Sequence, residues 1–334
     1  LREIIINKNE SNQRIDRFLK KYLSKANKGF IYKMLRKKRI KLNNKRAKPE
    51  DEIMVDDRIQ LYLSDDTIDK FTETFRIKKV NPNIDIVYED SNIIVMNKER
   101  GMLSHSSDSE EKNTLVNHMI NYLYDKGIYR PKDEKTFKPA ICNRLDRNTS
   151  GIIIGAKNYS ALKQVNRSIR NGKLKKYYIC MVKGKISDDR ILEGYIKKKE
   201  KNKAEIYENK IKDSKYIKIA INVIGYTQDY SLLKIELITG RFHQIRAQLS
   251  YIGHPIIGDF KYGDKRINEI FLKKYSIDSQ MLHAIEIEFN DLTEGLSYLN
   301  HKKFYAPVGN RFKKLIDEMF KGEFTREYSK GRIY

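Results

Sequence analysis

Between positions 14 and 23 the apolar residues Ile15, Phe18, Leu19 and Leu23 fall on one side of a 3.6-residue helix, with basic residues opposite. Asn27 and Gly29 are expected to break that helix. A second helix over residues 30–38 keeps Ile31, Met34 and Leu35 on its apolar face. Asn43-Asn44 marks a turn, and residues 53–63 then alternate with Ile59, Leu61 and Leu63 on one face, the period of a half-buried strand. Residues 65–83 show little periodicity and include Pro82, which predicts a linker. Beyond it, residues 84–96 form two strands around the turn Glu89-Asp90-Ser91-Asn92. The β-branched run Ile152, Ile153, Ile154 predicts a short buried strand, and Ser160 is read as the N-cap of a helix over residues 161–171 that Gly172 ends. LKKYYICMVKG is a further strand, whose neighbours Tyr177 and Tyr178 must point to opposite faces. Residues 191–217 are rich in Lys and Glu and are expected to form a hairpin or insertion at the rim; residues 231–238 return as a strand.

Length and charge narrow the classes. A chain of 334 residues has room for two domains and a tail. Its formal net charge of +24 favours a polyanion partner, nucleic acid ahead of an acidic membrane surface. Part of that charge is concentrated, because residues 28–48 hold ten Lys or Arg and no acid. Arg36, Lys37, Lys38 and Arg39 at the end of the second helix are the candidate RNA contacts of that stretch. Cys142 and Cys180 are the only cysteines, which excludes a disulfide framework and a cysteine-based metal site. No apolar run is long enough to span a bilayer, and the start LREIIINKNES is too short and too charged for a signal peptide. A soluble cytoplasmic protein without a membrane partner is expected.

Two stretches carry candidate chemistry. In CNRLDRNTSGIIIGAK, from Cys142 to Lys157, one carboxylate, Asp146, stands between Arg144 and Arg147 on a polar turn just before a core strand. That is a rigid place to present a reactive group. In TGRFHQIRAQLSYIGHPIIGDFKYG, from Thr239 to Gly263, the residues Arg241, His243 and Arg246 follow a glycine turn. His243, His254 and His283 show no metal-ligand spacing, so no metal is expected, and His105 reads as a loop histidine. A GxSxG elbow, a P-loop and a dinucleotide-binding glycine fingerprint are all absent, which weighs against hydrolase, NTPase and dehydrogenase readings.

These stretches resemble the RluA/RluC/RluD-type pseudouridine synthases from about residue 84 to 307. The motif HRLD-x-x-TSG-x-x-x-x-AK is matched by NRLDRNTSGIIIGAK, K-x-Y-x-x-x-V-x-G by KYYICMVKG, and GR-x-HQIR…GHPI-x-GD-x-x-YG by GRFHQIR…GHPIIGDFKYG. IDIVYEDSNIIVMNKERG resembles the family's first motif, and a late LHA and APV fit its tail. The N-terminal stretch looks like an S4 domain of the kind fused in front of large-subunit ribosomal RNA synthases. One departure stands out: Asn143 occupies the position before Arg144 that usually holds His.

The resemblance implies an α+β protein. A small S4 domain (residues 1–70) and a linker (71–83) would precede a catalytic domain (84–312) on a mostly antiparallel or mixed sheet. A basic tail (313–334) would follow. It implies conversion of uridine to pseudouridine in RNA, most of all large-subunit ribosomal RNA, by a monomer that needs no cofactor, because the uracil is both leaving group and incoming nucleophile. Asp146 would be the nucleophile or electrostatic stabiliser, Arg246 the cation that keeps it ionised and oriented with Arg241 as the second candidate, and Tyr178 the residue that stacks on the base, with removal of the C5 proton as its alternative role. Arg144 would fill the space left by the flipped base, and Arg241 and His243 would bind substrate. A tRNA-directed enzyme is the alternative within the class. A non-catalytic RNA-binding or ribosome-assembly protein is the alternative outside it.

Overall fold

The computed structural model describes residues 1–73, 77–106, 113–293 and 295–320. Its N-terminal part runs β1 (Arg2–Ile5), β2 (Gln13–Arg14), α1 (Ile15–Tyr22), α2 (Lys28–Arg36), β3 (Ile40–Leu42), β4 (Lys45–Arg46), β5 (Glu52–Ile53), β6 (Arg58–Leu61) and α3 (Asp65–Phe71). A small antiparallel sheet in the order β1-β6-β3-β4 packs on the helices around its own core. Ile15, Phe18 and Leu19 of α1 meet Ile31 and Leu35 of α2 there, as the helical spacing predicts.

Local chemistry moves several predicted boundaries. Gly29 lies inside α2 rather than ending α1, because the Asn27 side chain caps the helix by accepting the Phe30 N–H at 2.8 Å. Asn43 and Asn44 both adopt positive φ, the geometry of a two-residue hairpin between β3 and β4. The strand expected over 53–63 is split at Asp56 (φ 69°), so β5 pairs with β2 while β6 pairs with β1 and β3. The expected linker opens with α3, which Ser64 caps through the Thr67 N–H and whose Ile68 is buried in the N-terminal core.

The larger part contains β7 (Asp85–Glu89), β8 (Ile93–Lys98), α4 (Leu115–Asp125), β9 (Ala140–Ile141), β10 (Ser150–Ala156), α5 (Tyr159–Arg170), β11 (Leu174–Lys183) and β12 (Arg190–Lys198). It continues with β13 (Ala204–Tyr207), β14 (Lys215–Tyr226), β15 (Tyr230–Leu237), α6 (Gln244–Tyr251), α7 (Lys265–Tyr275), β16 (Leu282–Phe289), β17 (Lys303–Tyr305) and α8 (Asn310–Phe320). One mixed sheet in the order β13-β12-β14-β15-β11-β16-β10-β8-β7 forms its spine; β10 and β16 run parallel and the other paired strands antiparallel. Along β10 the side chains alternate. Ile153 enters the core shared with α4, α7 and α8, and Ile152 and Ile154 enter the core beneath α5. The lysine-rich stretch becomes β12, β13 and β14 at the sheet's end, a rim as expected.

Other boundaries shift here too. Helix α5 starts at Tyr159 because Asn158, not Ser160, accepts the Ala161 N–H. The first part of the predicted tail (313–334) is α8, whose Leu315, Ile316 and Phe320 join the main core; residues 321–334 lie outside the described residues. The two parts meet through the buried Glu10, whose Oε1 accepts the backbone N–H groups of Lys135 and Thr136 at 3.1 and 3.0 Å.

Gly151 fixes the junction that matters for function. Its φ is 114°, and a Cβ there would sit 2.2 Å from the Ala284 carbonyl oxygen. Only glycine lets β10 begin this close to β16, and the turn carrying Asp146 lies immediately before it.

Candidate active site

The turn from Arg144 to Thr149 is held from three sides. Asn143 acts as an extra rung on β10, accepting the Ile154 N–H at 2.8 Å and donating to the Ile152 carbonyl at 3.1 Å. The departure from the usual His therefore leaves the turn braced. Ser104 Oγ closes a second clamp, donating to the Leu145 carbonyl at 2.9 Å and accepting its N–H at 3.1 Å. Lys98 supplies the third. Its side chain is fully buried, and Nζ donates to the carbonyls of Glu99, Met102 and Arg147 at 2.8, 2.8 and 3.0 Å. Burial pulls its pKa down to about 7, against the opposing pull of the Asp146 charge. Lys98→Met is expected to cost about 3 kcal/mol in urea denaturation, roughly one for each hydrogen bond lost; the Arg147 carbonyl keeps the Gly101 N–H, and those of Glu99 and Met102 lose their side-chain donor. A loss below about 1 kcal/mol would show that the clamp is redundant.

Asp146 projects from this turn into a cleft of about 560 Å³ whose lining includes Arg144, Tyr178, Arg241, His243 and Arg246. The six residues expected to act on or bind the substrate outside the N-terminal part thus line one cleft, while Arg147 is not among its lining residues. Arg246, on α6, donates from Nη1 to Asp146 Oδ2 at 2.8 Å. The rest of its guanidinium forks onto Asp259, Nε to Oδ2 at 2.7 Å and Nη2 to Oδ1 at 2.9 Å. Asp259 is fully buried and also accepts the N–H groups of Lys261 and Tyr262. Burial raises its pKa, but the Arg246 hydrogen bonds and charge and these two amides outweigh that and hold it below the ordinary value. Arg246 is thus a fixed cation that Asp259 aims at Asp146.

His243 Nε2 lies 3.6 Å from Asp146 Oδ2, and its Nδ1 is 3.0 Å from the Tyr262 hydroxyl. Burial depresses its pKa well below the usual histidine range, so it is neutral at pH 7. Tyr178 stands on β11 beside a register shift between Tyr177 and Tyr178, and its side chain is nearly buried in the cleft wall. Burial and then the Asp146 charge raise its pKa, so the phenol keeps its proton across the neutral range. Arg144 is exposed at the mouth. Arg36, Lys37, Lys38 and Arg39 are not part of the cleft; they are exposed at the end of α2, where Tyr32, Lys33, Arg36, Arg46 and Lys48 line a hollow of about 330 Å³.

The arrangement presents one carboxylate, oriented by a permanent cation, in a mostly cationic cleft large enough for a nucleoside. It suits attack on, or electrostatic stabilisation of, an electron-poor carbon. Asp259, Tyr262, Lys98 and Phe242 were not singled out in the sequence, although all lie inside the quoted motifs; the signal was their motif position. Among the described residues no cluster of His, Cys, Asp or Glu is arranged to hold a metal, and no helix is long and apolar enough to cross a membrane. His283 is a core residue, bonded through Nδ1 to Ser150 and through Nε2 to the Ala306 carbonyl.

Comparison with known proteins points one way. The family model described as RNA pseudouridylate synthase matches residues 92–251, which hold Asp146, Tyr178 and Arg246. An RNA pseudouridine synthase of Mycoplasma capricolum is 33% identical, over 90% of this chain and 95% of that protein. The ribosomal large subunit pseudouridine synthase C of Buchnera aphidicola is 30% identical, over 85% of this chain and 88% of that one. The solved structure of human RNA pseudouridylate synthase domain containing 4 shares the fold, with a TM-score of 0.54 at 19% identity, covering 70% of this chain and 91% of that chain.

Proposed function

The chain belongs to the RNA pseudouridine synthase family, and from that premise we propose that it converts uridine to pseudouridine in large-subunit ribosomal RNA with Asp146 as its nucleophile. The reaction breaks the bond between ribose C1′ and uracil N1, turns the base, and joins C5 to C1′. N1 gains a proton and C5 loses one, so the product is an isomer of the substrate. The observation that carries the assignment is the 2.8 Å pair between Asp146 and an Arg246 already committed to Asp259. It holds the carboxylate in one orientation without a mobile counter-ion.

A paired uridine cannot reach Asp146, so the base leaves the stack and Arg144 at the mouth occupies the gap. Tyr178 stacks on the base. Its raised pKa weighs against a role as base for the C5 proton. Tyr178→Phe is accordingly expected to keep activity within about tenfold of wild type in single-turnover assays. Near-total loss would assign the work to the hydroxyl.

The N-terminal unit is read as an S4-type RNA-binding domain that adds sequence-tolerant affinity through the exposed cations at the end of α2 and on β4. Neutralising Lys37, Lys38 and Arg39 together should lower the slope of log affinity against log salt by about 2–3. An unchanged slope would place the electrostatic footprint elsewhere. The name of the Buchnera relative favours ribosomal RNA over tRNA as the target. The test is to map the modified nucleotide after incubation with each RNA.

A further inference from the structure

Phe242 has no task in the reaction above, yet the residue is 36% exposed on the wall of a polar, basic cleft. The backbone is specialised to hold it there. His243 adopts φ 53°, a left-handed conformation that is strained for a residue carrying a Cβ. In a strand, consecutive side chains point to opposite faces; across this turn the neighbouring rings of Phe242 and His243 stack, with centroids 3.7 Å apart and planes 22° apart. His243 is itself held edge-on by Tyr262 and lies 3.6 Å from Asp146. A third group approaches the same ring: Lys198, exposed at the end of β12, places Nζ 5.2 Å from the Phe242 centroid.

An aromatic face backed by a neutral ring, with a cation beside it, has the composition of a site for one nucleotide: a base to stack and a phosphate to neutralise. We propose that Phe242 and Lys198 form a subsite for the nucleotide adjacent to the target uridine. The base lies on the Phe242 ring, and the Lys198 ammonium, on its long flexible stem, moves from the ring to that nucleotide's phosphate. This rests on the reading that the cleft takes a uridine from RNA. It places the neighbour two contacts away from Asp146 through the His243 ring, and it gives the lysine-rich rim a part in substrate binding.

The test compares tritium release from ribosomal RNA transcripts labelled at uridine C5. Phe242→Ala should raise KM about tenfold and leave kcat within about threefold, because stacking holds the flank and not the reacting bond. Phe242→Leu keeps apolar bulk against His243 but offers no π face, and should behave like the alanine variant. Phe242→Trp should restore KM, and Lys198→Ala should lower the salt slope of binding by about one. In a second readout, 2-aminopurine on one side of the mapped uridine should be quenched on binding to Asp146→Asn, and the quench should vanish when Phe242→Ala is added. An unchanged KM in Phe242→Ala, full repair by Phe242→Leu, or a quench that survives Phe242→Ala would overturn the subsite. A wild type that releases no tritium would instead contradict the function on which it rests.

Discussion

Replacing Asp146 by Asn is expected to lower isomerisation by on the order of a thousandfold or more, while the protein still folds and binds RNA. The substitution keeps the side chain's shape and lets its carbonyl oxygen accept from Arg246, but it removes the charge and lone-pair reactivity that a nucleophile needs. Folding should survive, because the turn is clamped by Ser104 on Leu145 and by Lys98 on Arg147, not by the carboxylate. Arg246 keeps its fork onto Asp259, so no cation is left unpaired. RNA affinity, measured by filter binding, should be unchanged or slightly tighter, since the variant removes the anion from a cationic cleft. Residual activity above about a tenth of wild type would sink the assignment of Asp146 as nucleophile.

The second large effect is predicted at a buried residue that does not line the cleft. Asp259→Ala strands Arg246, which is only 7% exposed, with Asp146 as its remaining partner in the cleft, and it leaves the Lys261 and Tyr262 amides without their acceptor. Breaking one side of a buried pair typically costs about 3–5 kcal/mol, and that loss is expected in urea denaturation. At temperatures where the variant remains folded, kcat should still fall by about a hundredfold, because Arg246 is no longer aimed. Asp259 also predicts an acid limb. Its pKa lies below the ordinary 3.8, so it contributes stability above that pH, and the contribution is lost as pH falls through the depressed value. Asp259→Asn should flatten that limb. An unshifted urea midpoint in Asp259→Ala would show that the pair contributes little.

Much of the site was legible because its residues lie in short ordered motifs and because Ile152 to Ile154 advertise a buried strand. Asp146 and Arg246 stand a hundred positions apart and still meet, since the β10–β16 parallel pair and α6 bring their motifs together. What sequence could not give was burial of charge. Lysine and aspartate are read as surface residues, yet Lys98 and Asp259 are among the most enclosed side chains, each made tolerable by partners distant in sequence. Helix α3 escaped because seven residues with one buried apolar side chain, Ile68, leave almost no period to detect. Helix α5 was misplaced by two residues because Asn158 and Ser160 are both good caps and only the fold chooses between them. The tail boundary shifts for another reason: Arg311 and Lys314 of α8 are exposed while Leu315, Ile316 and Phe320 complete the main core, and net charge hid that stripe.

Tritium release from RNA labelled at uridine C5 tests both the reaction and its nucleophile, with wild type and Asp146→Asn each given large-subunit ribosomal RNA and tRNA transcripts. Release is expected from the ribosomal transcript with the wild type, none above background with the variant, and little from tRNA. Release from tRNA alone would contradict the ribosomal target, and equal release by wild type and variant would contradict the role of Asp146.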